Sequence, residues 1–266
     1  TMNRVFLNLG QFKIYWYSVL ILVGVLIGIY LILKEAKRQN IDKGLISDLC
    51  FYVIPVSIIG ARLYYVIFNF SLFKDDLLSI FRIWEGGIAI YGGVLVGILF
   101  IYFYTKKKKQ DTMKILDIFA PSLVLAQGIG RWGNFFNQEA YGGVTTRIFL
   151  EKMHIPNFII NNMYIEGAYH EPTFLYESLI CLMIFIILML IRYLSKKNKV
   201  GNITFTYFIL YGTGRYFIEG MRLDSLYIGS FRVSQIVSII LIIVGIFGLI
   251  KTKNNYLYNE PKKSTK

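Results

Sequence analysis

The residues best suited to chemistry lie close together between positions 128 and 143, in the stretch GIGRWGNFFNQEAYGG. Four polar side chains stand there among five glycines: Arg131, Asn134, Asn137 and Glu139. Glycines let backbone N–H groups approach an anion closely, and asparagine side chains orient oxygen atoms. Glu139 is available as a base or as a partner for an arginine. A turn that closes a helix would explain the glycines but not this set of polar side chains. We therefore interpret the stretch as part of an anion-binding site.

A second arginine, Arg215, belongs to a separate polar group nearer the C-terminus. Glu219 and Arg222 follow it at spacings of four and three residues, which places all three on one face if a helix continues that far. Arg131 and Arg215 would repel each other at one depth unless an anion lay between them. A phosphate is such an anion, and its oxygens suit the planar fork of arginine. The sequence therefore predicts a phosphate clamp made by these two arginines.

The elements that must position these residues are membrane helices. The chain has 266 residues, 55% of them hydrophobic, and a mean hydropathy of +0.52. A span needs roughly 20 apolar residues at about 1.5 Å of rise per residue. Three runs without a charge and four with one or two charges come close to that length: 14–33, 86–105 and 233–250, then 49–68, 114–131, 174–191 and 201–219. We expect an all-α, polytopic integral membrane protein of about seven transmembrane helices, which excludes a soluble enzyme, a nucleic-acid binder and a disordered chain.

Lysine and arginine orient this bundle, because cytoplasmic loops carry the excess of positive charge. The segments after the first, third, fifth and seventh helices hold 18 of these cations, whereas the N-terminus and the segments after the even-numbered helices hold 8. The N-terminus is therefore expected outside, with 251–266 as a cytoplasmic tail. Most of the net charge of +13 then lies against the anionic inner leaflet, which argues against nucleic acid as a partner. The whole chain, 1–266, is predicted to be one membrane-embedded domain.

This orientation gathers polar groups of five helices in the outer half of the membrane. A charge inside a span is costly and is by default a functional candidate. The groups at this depth are Tyr17, Arg62, Tyr91, Arg131, Arg215, Glu219 and Arg222. Asp117 and Glu177 lie near helix ends, and we interpret them as snorkelling or capping groups. The long outside segment 132–173 is rich in aromatic residues and is expected to form a lid or a docking surface.

Neither a metal nor a cofactor is expected from the sequence. The two cysteines, Cys50 and Cys181, lie in apolar runs, and neither has a second cysteine or a histidine at ligand spacing. A free cysteine in such a run behaves as a small hydrophobic residue. We therefore expect both thiols to be inert.

Four blocks of the chain match a known pattern in their order and spacing. They are IWEGGIAIYGG (83–93), GRWGNFFNQEAYG (130–142), EPTFLYES (171–178) and GTGRYFIEGMR (212–222). With Tyr17 and Arg62, they resemble the prolipoprotein diacylglyceryl transferases over nearly the whole chain. The resemblance implies transfer of the diacylglyceryl group from phosphatidylglycerol to the lipobox cysteine thiol of a prolipoprotein signal peptide, giving a thioether and glycerol phosphate. It also implies a site on the outer side of the bacterial cytoplasmic membrane, among membrane lipids.

The resemblance assigns roles residue by residue. The important arginines of the family fall on Arg131 and Arg215, its signature asparagine and glutamate on Asn134 and Glu139, a conspicuous glycine on Gly142 and a helix acid on Glu219. Our substrate-binding candidates are the two arginines together with Tyr17, Arg62, Asn137, Gly142, Glu219 and Arg222. Tyr91 stands where many members have a histidine that is proposed as the base. Glu171 replaces another histidine of the family, with His170 one place earlier. A histidine-base mechanism therefore does not carry over unchanged.

The thiol must lose its proton during the transfer, and three acceptors stay open. Glu139 is the first candidate. Tyr91 is the second, although a phenol with its high ordinary pKa is a poor base. In the third route the arginines alone favour the thiolate, and a phosphate oxygen takes the proton.

Two other classes of function would use the same arginines. A transporter or channel for an anionic solute would bind its cargo there, but the cationic groups gather at one depth and no paired broken helices are visible. A binding protein for an anionic lipid would bind without forming a product. Solute uptake into proteoliposomes and a product assay separate these classes from the transferase.

Overall fold

The computed structural model describes residues 3–10, 12–83 and 87–260, and most of this part of the chain is helical. It contains seven long α-helices and two short ones. Their bounds are α1 Trp16–Arg38, α2 Lys43–Phe68, α3 Ile90–Lys107, α4 Thr112–Asn137, α5 Arg147–Lys152, α6 Asn157–Asn162, α7 Thr173–Leu194, α8 Asn202–Met221 and α9 Val233–Thr252. Two short 3₁₀ helices, Phe70–Leu72 and Leu77–Phe81, lie between α2 and α3.

The long helices lie where the hydropathy pattern predicts them. Five of them, α1, α2, α4, α7 and α9, are long and apolar enough to cross a membrane. The other two long helices are α3, whose last two residues are lysines, and α8, which carries Arg215 and Glu219. The protein is therefore a multi-pass helical bundle, whereas the total of seven crossings stays a prediction.

Burial among these five spans is highest in the least apolar helix. In α4, 56% of the most apolar stretch is buried inside the protein, whereas only 17% of that of α1 is buried. Both α1 and α7 pack on α4, α8 packs on α7 and α9, and α2 packs on α3. Lipid chains are as apolar as leucine, so a membrane protein can turn its most apolar surfaces outward and keep its polar groups inside. The central helix α4 is therefore the one that carries polar residues into the core.

Two polar features of α4 are satisfied by neighbouring helices. Pro121 lacks an N–H group, which leaves the carbonyl of Asp117 without its helical partner; Nη2 of Arg192 donates to that carbonyl at 2.6 Å. The Asp117 carboxylate accepts from the backbone N–H groups of Gly201 and Thr204 at 2.6 and 2.9 Å. It thereby caps the start of α8. The capping role predicted for Asp117 is confirmed, but the capped helix is not its own.

Close helix contacts depend on glycines at two interfaces. A Cβ atom on Gly92 of α3 would lie 2.2 Å from Cβ of Tyr64 on α2. A Cβ atom on Gly248 of α9 would lie 2.3 Å from the ring of Phe205 on α8. Small residues let membrane helices approach in this way, and the backbones gain van der Waals contact. Any larger residue at these positions would push the helices apart.

Three small antiparallel sheets correct the all-α prediction. They are the hairpin of β1 Val5–Leu9 and β2 Phe12–Tyr15, the sheet β3-β5-β4 of Val144–Thr145, Ala168–His170 and Tyr164–Ile165, and the hairpin of β6 Tyr227–Ile228 and β7 Phe231–Arg232. They precede α1, connect α4 to α7 and connect α8 to α9. Trp16 at the start of α1 stacks on Phe136 near the end of α4, and Gly142 forms a bridge with Arg222 after α8, so the three sheets lie at one end of the bundle. Backbone groups outside the helices must still be paired. Strands of two to five residues leave no trace in a hydropathy pattern that is dominated by spans.

The connection between α4 and α7 has a hydrophobic core of its own. Its buried members are Phe135, Leu150, Ile155, Ile159, Ile160, Met163 and Phe174. The predicted outside segment 132–173 begins too early, because α4 continues to Asn137. The segment from Gln138 to Pro172 is thus a packed unit, which we name the 138–172 unit, and its role as a lid or docking surface stays a prediction.

The C-terminal residues fold back onto the bundle. The N–H of Tyr258 donates to the carbonyl of Asn198 at 2.8 Å, and the N–H of Val200 donates to the carbonyl of Tyr256 at 3.0 Å. The Tyr258 side chain is fully buried. The expected tail 251–266 therefore begins as the last turn of α9 and a packed strap over 253–260, whereas 261–266 lie outside the described residues.

Candidate active site

Two arginines and two glutamates form a buried group at the end of the bundle that carries the three sheets. Nη2 of Arg131 lies 2.8 Å from Oε1 of Glu177, and Nη1 of Arg215 lies 2.8 Å from Oε2 of the same carboxylate. Nη2 of Arg215 lies 2.7 Å from Oε2 of Glu219. We name these four residues the arginine–glutamate cluster. It joins α4, α7 and α8, so the two arginines that the sequence pairs do meet, with a carboxylate between them.

The cluster is electrically balanced but incompletely hydrogen-bonded. Its side chains are between 2% and 11% exposed, and two cations face two carboxylates. The Nε atoms of Arg131 and Arg215 are buried, and each lacks a hydrogen-bond partner within the described part of the chain. Buried donors of this kind are costly to leave unpaired. The two guanidiniums therefore retain capacity for a further acceptor.

Glu177 corrects the interpretation drawn from the sequence. It is 4% exposed and bridges both arginines, so it neither snorkels nor caps a helix. It lies one turn inside α7, and it is buried because α7 packs against both α4 and α8. Two signals pointed to it: its place in the block EPTFLYES and the need of the two arginines for an anion.

Tyr91 lies beside the cluster without contacting its carboxylates. Its ring packs edge-on against Tyr211 at 6.0 Å, and the Tyr211 hydroxyl donates to Oε1 of Glu177 at 3.3 Å. The Tyr91 hydroxyl lies 2.6 Å from Oγ of Ser238, whose own proton goes to the carbonyl of Ser234. Tyr91 is therefore the donor in its pair with Ser238. The hydroxyl hydrogen of Tyr91 is thus directed to Ser238, and the role of Tyr91 as the second candidate base stays a prediction.

Glu139 is held by the two asparagines that precede it in sequence. Nδ2 of Asn134 and Nδ2 of Asn137 donate to its Oε1 at 3.1 and 3.2 Å. The chain turns back here because Gln138 ends α4 in the left-handed conformation, at φ 53°. Glu139 is exposed, and it makes no ion pair with the arginines. Asn134, Asn137 and Glu139 thus form a hydrogen-bonded group whose carboxylate is exposed, and its catalytic role stays a prediction.

Tyr17 packs against α4 at Gly133. A Cβ atom on Gly133 of α4 would lie 2.5 Å from the Tyr17 ring, so only glycine allows α1 this close. Both Glu139 and Arg131 are within electrostatic range of the Tyr17 hydroxyl. Tyr17 and Arg131 both belong to the polar groups predicted to gather at one depth of the membrane, and that shared depth stays a prediction.

Two other candidates, Arg62 and Arg222, make hydrogen bonds to neighbouring loop residues. Arg62 donates to the carbonyls of Ser79, Ile80 and Gly87 at 2.7, 2.9 and 2.8 Å and holds the connection between α2 and α3. The guanidinium of Arg222 makes two hydrogen bonds to Asp224, at 2.9 and 3.0 Å.

Gly142 is a junction of the backbone. Its N–H donates to the carbonyl of Glu171 at 2.9 Å, and its carbonyl lies 2.9 Å from Nδ1 of His170. It also forms a bridge with Arg222 that joins the 138–172 unit to the end of α8. Arg62 and Gly142 thus position loops through these contacts, and their predicted substrate-binding roles stay predictions.

No group of three or more metal-ligating side chains occurs among residues 3–10, 12–83 and 87–260. Cys50 and Cys181 are free and buried, as the apolar runs around them predict.

Comparison with known proteins gives one consistent result. The family model described as prolipoprotein diacylglyceryl transferase matches residues 4–251. A phosphatidylglycerol–prolipoprotein diacylglyceryl transferase of Halalkalibacterium halodurans is 51% identical over 91% of this chain and 83% of its own length. Enzymes of the same name from Listeria innocua and Ligilactobacillus salivarius are 50% and 47% identical, over 94% and 97% of this chain and 89% and 95% of their own lengths. The resemblance seen in the four sequence blocks therefore extends along nearly the whole chain, and this protein belongs to the prolipoprotein diacylglyceryl transferase family.

Proposed function

We propose that this protein transfers the diacylglyceryl group of phosphatidylglycerol to the lipobox cysteine of a prolipoprotein signal peptide. The observation that carries this proposal is the pair Arg131 and Arg215, held by Glu177 in the interior of a membrane protein of this family. Two guanidiniums with free Nε donors match a phosphodiester that is to leave as a phosphate monoester. The protein thereby carries out the first step of lipoprotein maturation.

The proposed orientation has seven crossings, the N-terminus outside and the site toward the outer leaflet of the bacterial cytoplasmic membrane. The arginine–glutamate cluster lies at the end of the bundle that carries the three sheets, where the loops hold few lysines and arginines. The opposite end carries the basic loops and the C-terminus. This distribution follows the excess of positive charge found on cytoplasmic sides.

In the proposed reaction the cysteine sulfur attacks the glycerol carbon that bears the phosphate. The carbon–sulfur bond forms as the carbon–oxygen bond breaks, and the electron pair leaves with the phosphate oxygen. Arg131 and Arg215 stabilise the negative charge that develops on that oxygen. The thiol gives its proton to a base. The base then passes the proton on to the released glycerol phosphate, so that charge and atoms balance.

Glu177 acts in this proposal as a placeholder for the lipid phosphate. Its carboxylate bridges the same two guanidiniums that the phosphate would bridge, so one anion is exchanged for another. Without it, two buried cations would face each other when no lipid is bound, which is strongly unfavourable. The carboxylate thus keeps both guanidiniums ordered between turnovers.

Glu139 is the proposed acceptor of the thiol proton. Its carboxylate is exposed and is oriented by Asn134 and Asn137. A base must be accessible to an incoming peptide and within reach of the thiol. Transfer of the proton to a phosphate oxygen is the alternative that a Glu139 variant would reveal.

A transfer assay on purified protein tests the function. The substrates are phosphatidylglycerol labelled in its headgroup and a lipobox peptide, with a Cys→Ser peptide as the control. We expect labelled glycerol phosphate only with the thiol peptide. Lipid binding without release would instead identify a binding protein, and uptake of an anionic solute into proteoliposomes would identify a transporter.

A further inference from the structure

A cavity of about 50 Å³ lies at the other end of the bundle, between α1 and α7, where both helices pack on α4. Its polar lining consists of Lys34, Glu35, Ser122, Arg192 and Tyr193. A single water molecule needs only about 10–15 Å³. The cavity therefore has room for a polar group larger than one water.

Two buried donors that line this cavity have no acceptor. Oγ of Ser122 is buried and makes no hydrogen bond within the described part of the chain. The Nε atom of Arg192 is likewise unpaired, and the nearest carboxylate oxygen, Oε1 of Glu35, is 3.7 Å away. Both residues are only 2% exposed. An acceptor supplied by a ligand would satisfy both donors, which are costly to bury unpaired.

Glu35 does not meet this need, because its carboxylate is already saturated. Arg38 donates to it twice, at 2.9 and 2.7 Å, Tyr258 donates at 2.8 Å and Gln39 at 3.1 Å. Burial raises the pKa of the Tyr258 hydroxyl far above its ordinary value, so this group stays a donor. With Glu35 neutralised by Arg38, the cavity keeps the two cations Lys34 and Arg192.

We propose that this cavity binds the phosphate group of a membrane phospholipid, at a site separate from the arginine–glutamate cluster. Arg192, Ser122 and Lys34 supply donors and positive charge for the phosphate. The remaining wall is apolar and includes Leu31, Phe185 and Met189. Inorganic phosphate would gain nothing from that wall, whereas the glycerol and acyl parts of a lipid would. In the proposed orientation, the ligand belongs to the inner leaflet.

Photolabelling tests the site without reference to activity. The probe is a phosphatidylglycerol with a diazirine near the start of one acyl chain, added to the full-length protein in detergent micelles. Mass spectrometry of the peptides then locates the adducts. We expect labelling of the peptides that hold Leu31 and Met189. A diacylglycerol probe with the same diazirine lacks the phosphate and should leave these peptides unlabelled.

Variants of the donors make the test specific. Lys34→Gln and Ser122→Ala should each lower labelling of these peptides by about threefold or more, as the loss of one hydrogen bond or charge contact predicts. Lys37→Gln is the matched control, because Lys37 is an exposed lysine of the same helix that does not line the cavity. Arg192 is left unchanged, since it also supports α4 beside Pro121.

Four outcomes would overturn the proposal, and three of them concern the labelling itself. They are equal labelling by the diacylglycerol probe, full labelling in both Lys34→Gln and Ser122→Ala, and loss of labelling in Lys37→Gln to the same degree. Complete displacement of the lipid probe by millimolar inorganic phosphate would assign the cavity to the free ion and reject the lipid. None of these outcomes bears on the transfer reaction, which is measured by product release.

Discussion

Each end of the bundle holds a buried glutamate paired with arginine, but the two glutamates differ in their hydrogen-bond partners. At one end, Glu177 contacts two guanidiniums and one tyrosine hydroxyl, and both arginines keep an unpaired Nε. At the other end, Glu35 receives hydrogen bonds from an arginine, a glutamine and a tyrosine of the C-terminal strap. A ligand anion could replace the first carboxylate, because the guanidiniums would regain an equivalent partner. It could not replace the second without breaking contacts to the end of α1 and to the C-terminal strap.

The difference indicates how to separate a functional ion pair from a structural one in a membrane interior. Both carboxylates are buried, Glu177 at 4% and Glu35 at 2% exposed. What differs is whether the carboxylate is held by side chains that can exchange partners or by a network that also fixes the fold. The following predictions test that distinction in order of expected effect.

The largest effect is expected from Arg131→Ala. Loss of one group that stabilises the leaving phosphate should lower turnover by about 10²–10³. The measurement is the initial rate of glycerol phosphate release. Arg147→Ala is the matched control, because Arg147 pairs with Glu151 on the exposed surface of α5. Wild-type turnover in Arg131→Ala would contradict the clamp.

Glu139→Gln should lower turnover by about 10², the lower range for loss of a general base. It should also change the pH profile of kcat/KM, because a different group would then accept the thiol proton. Glu166→Gln provides a control on an exposed acid in the β4–β5 turn. An unchanged rate and pH profile in Glu139→Gln would leave the phosphate oxygen as the proton acceptor.

Glu177→Gln compares the two ends directly. The lipid phosphate would no longer have to displace a carboxylate, so the KM for phosphatidylglycerol should fall by about tenfold, or about 1.4 kcal/mol. The variant should also unfold at a lower temperature, because the arginines lose their buried counter-charge. Glu35→Gln should lower the unfolding temperature as well and leave this KM unchanged. Equal KM effects in both variants would refute the distinction between the two groups.

The smallest effect is expected from Tyr91→Phe. It removes the 2.6 Å hydrogen bond to Ser238, worth about 1 kcal/mol of stability. Turnover should stay within about threefold of the wild type, because the phenol is a donor to Ser238 and the change to phenylalanine preserves the ring contact with Tyr211. A Tyr91→Phe variant that folds normally but shows no turnover would instead identify Tyr91 as a catalytic residue.

The helices and the meeting of Arg131 with Arg215 could be predicted from the sequence, whereas the partners of the other polar residues could not. Hydropathy sets the length of a span, and the cost of a buried charge marks the two arginines. The sequence does not predict that Glu177 pairs with both arginines, because a glutamate near a helix start is usually a snorkelling or capping residue. Only the approach of α7 to α4 and α8 buries it.

Backbone partners explain the remaining differences. Arg62 binds three carbonyls of a neighbouring loop, and the N–H of Gly142 binds the carbonyl of Glu171. Main-chain acceptors are present at every residue, so no sequence pattern distinguishes the one that a given side chain selects. The same reason hides the three short sheets, whose pairing depends on where the helix ends meet.

The hydrogen bonds of α4 have a consequence for biosynthesis. The carbonyl of Asp117, freed by Pro121, is paired by Arg192, which is 75 residues later in the chain, and the Asp117 carboxylate is paired by Thr204, 87 residues later. A nascent α4 therefore enters the bilayer before its partners have been translated. Unpaired polar groups are costly in lipid, so α4 should be retained beside the insertion machinery until α7 and α8 emerge. Asp117 and Pro121 therefore have two effects: they tie α4 to its neighbours in the centre of the bundle, and they delay the pairing of its polar groups until α7 and α8 have been made.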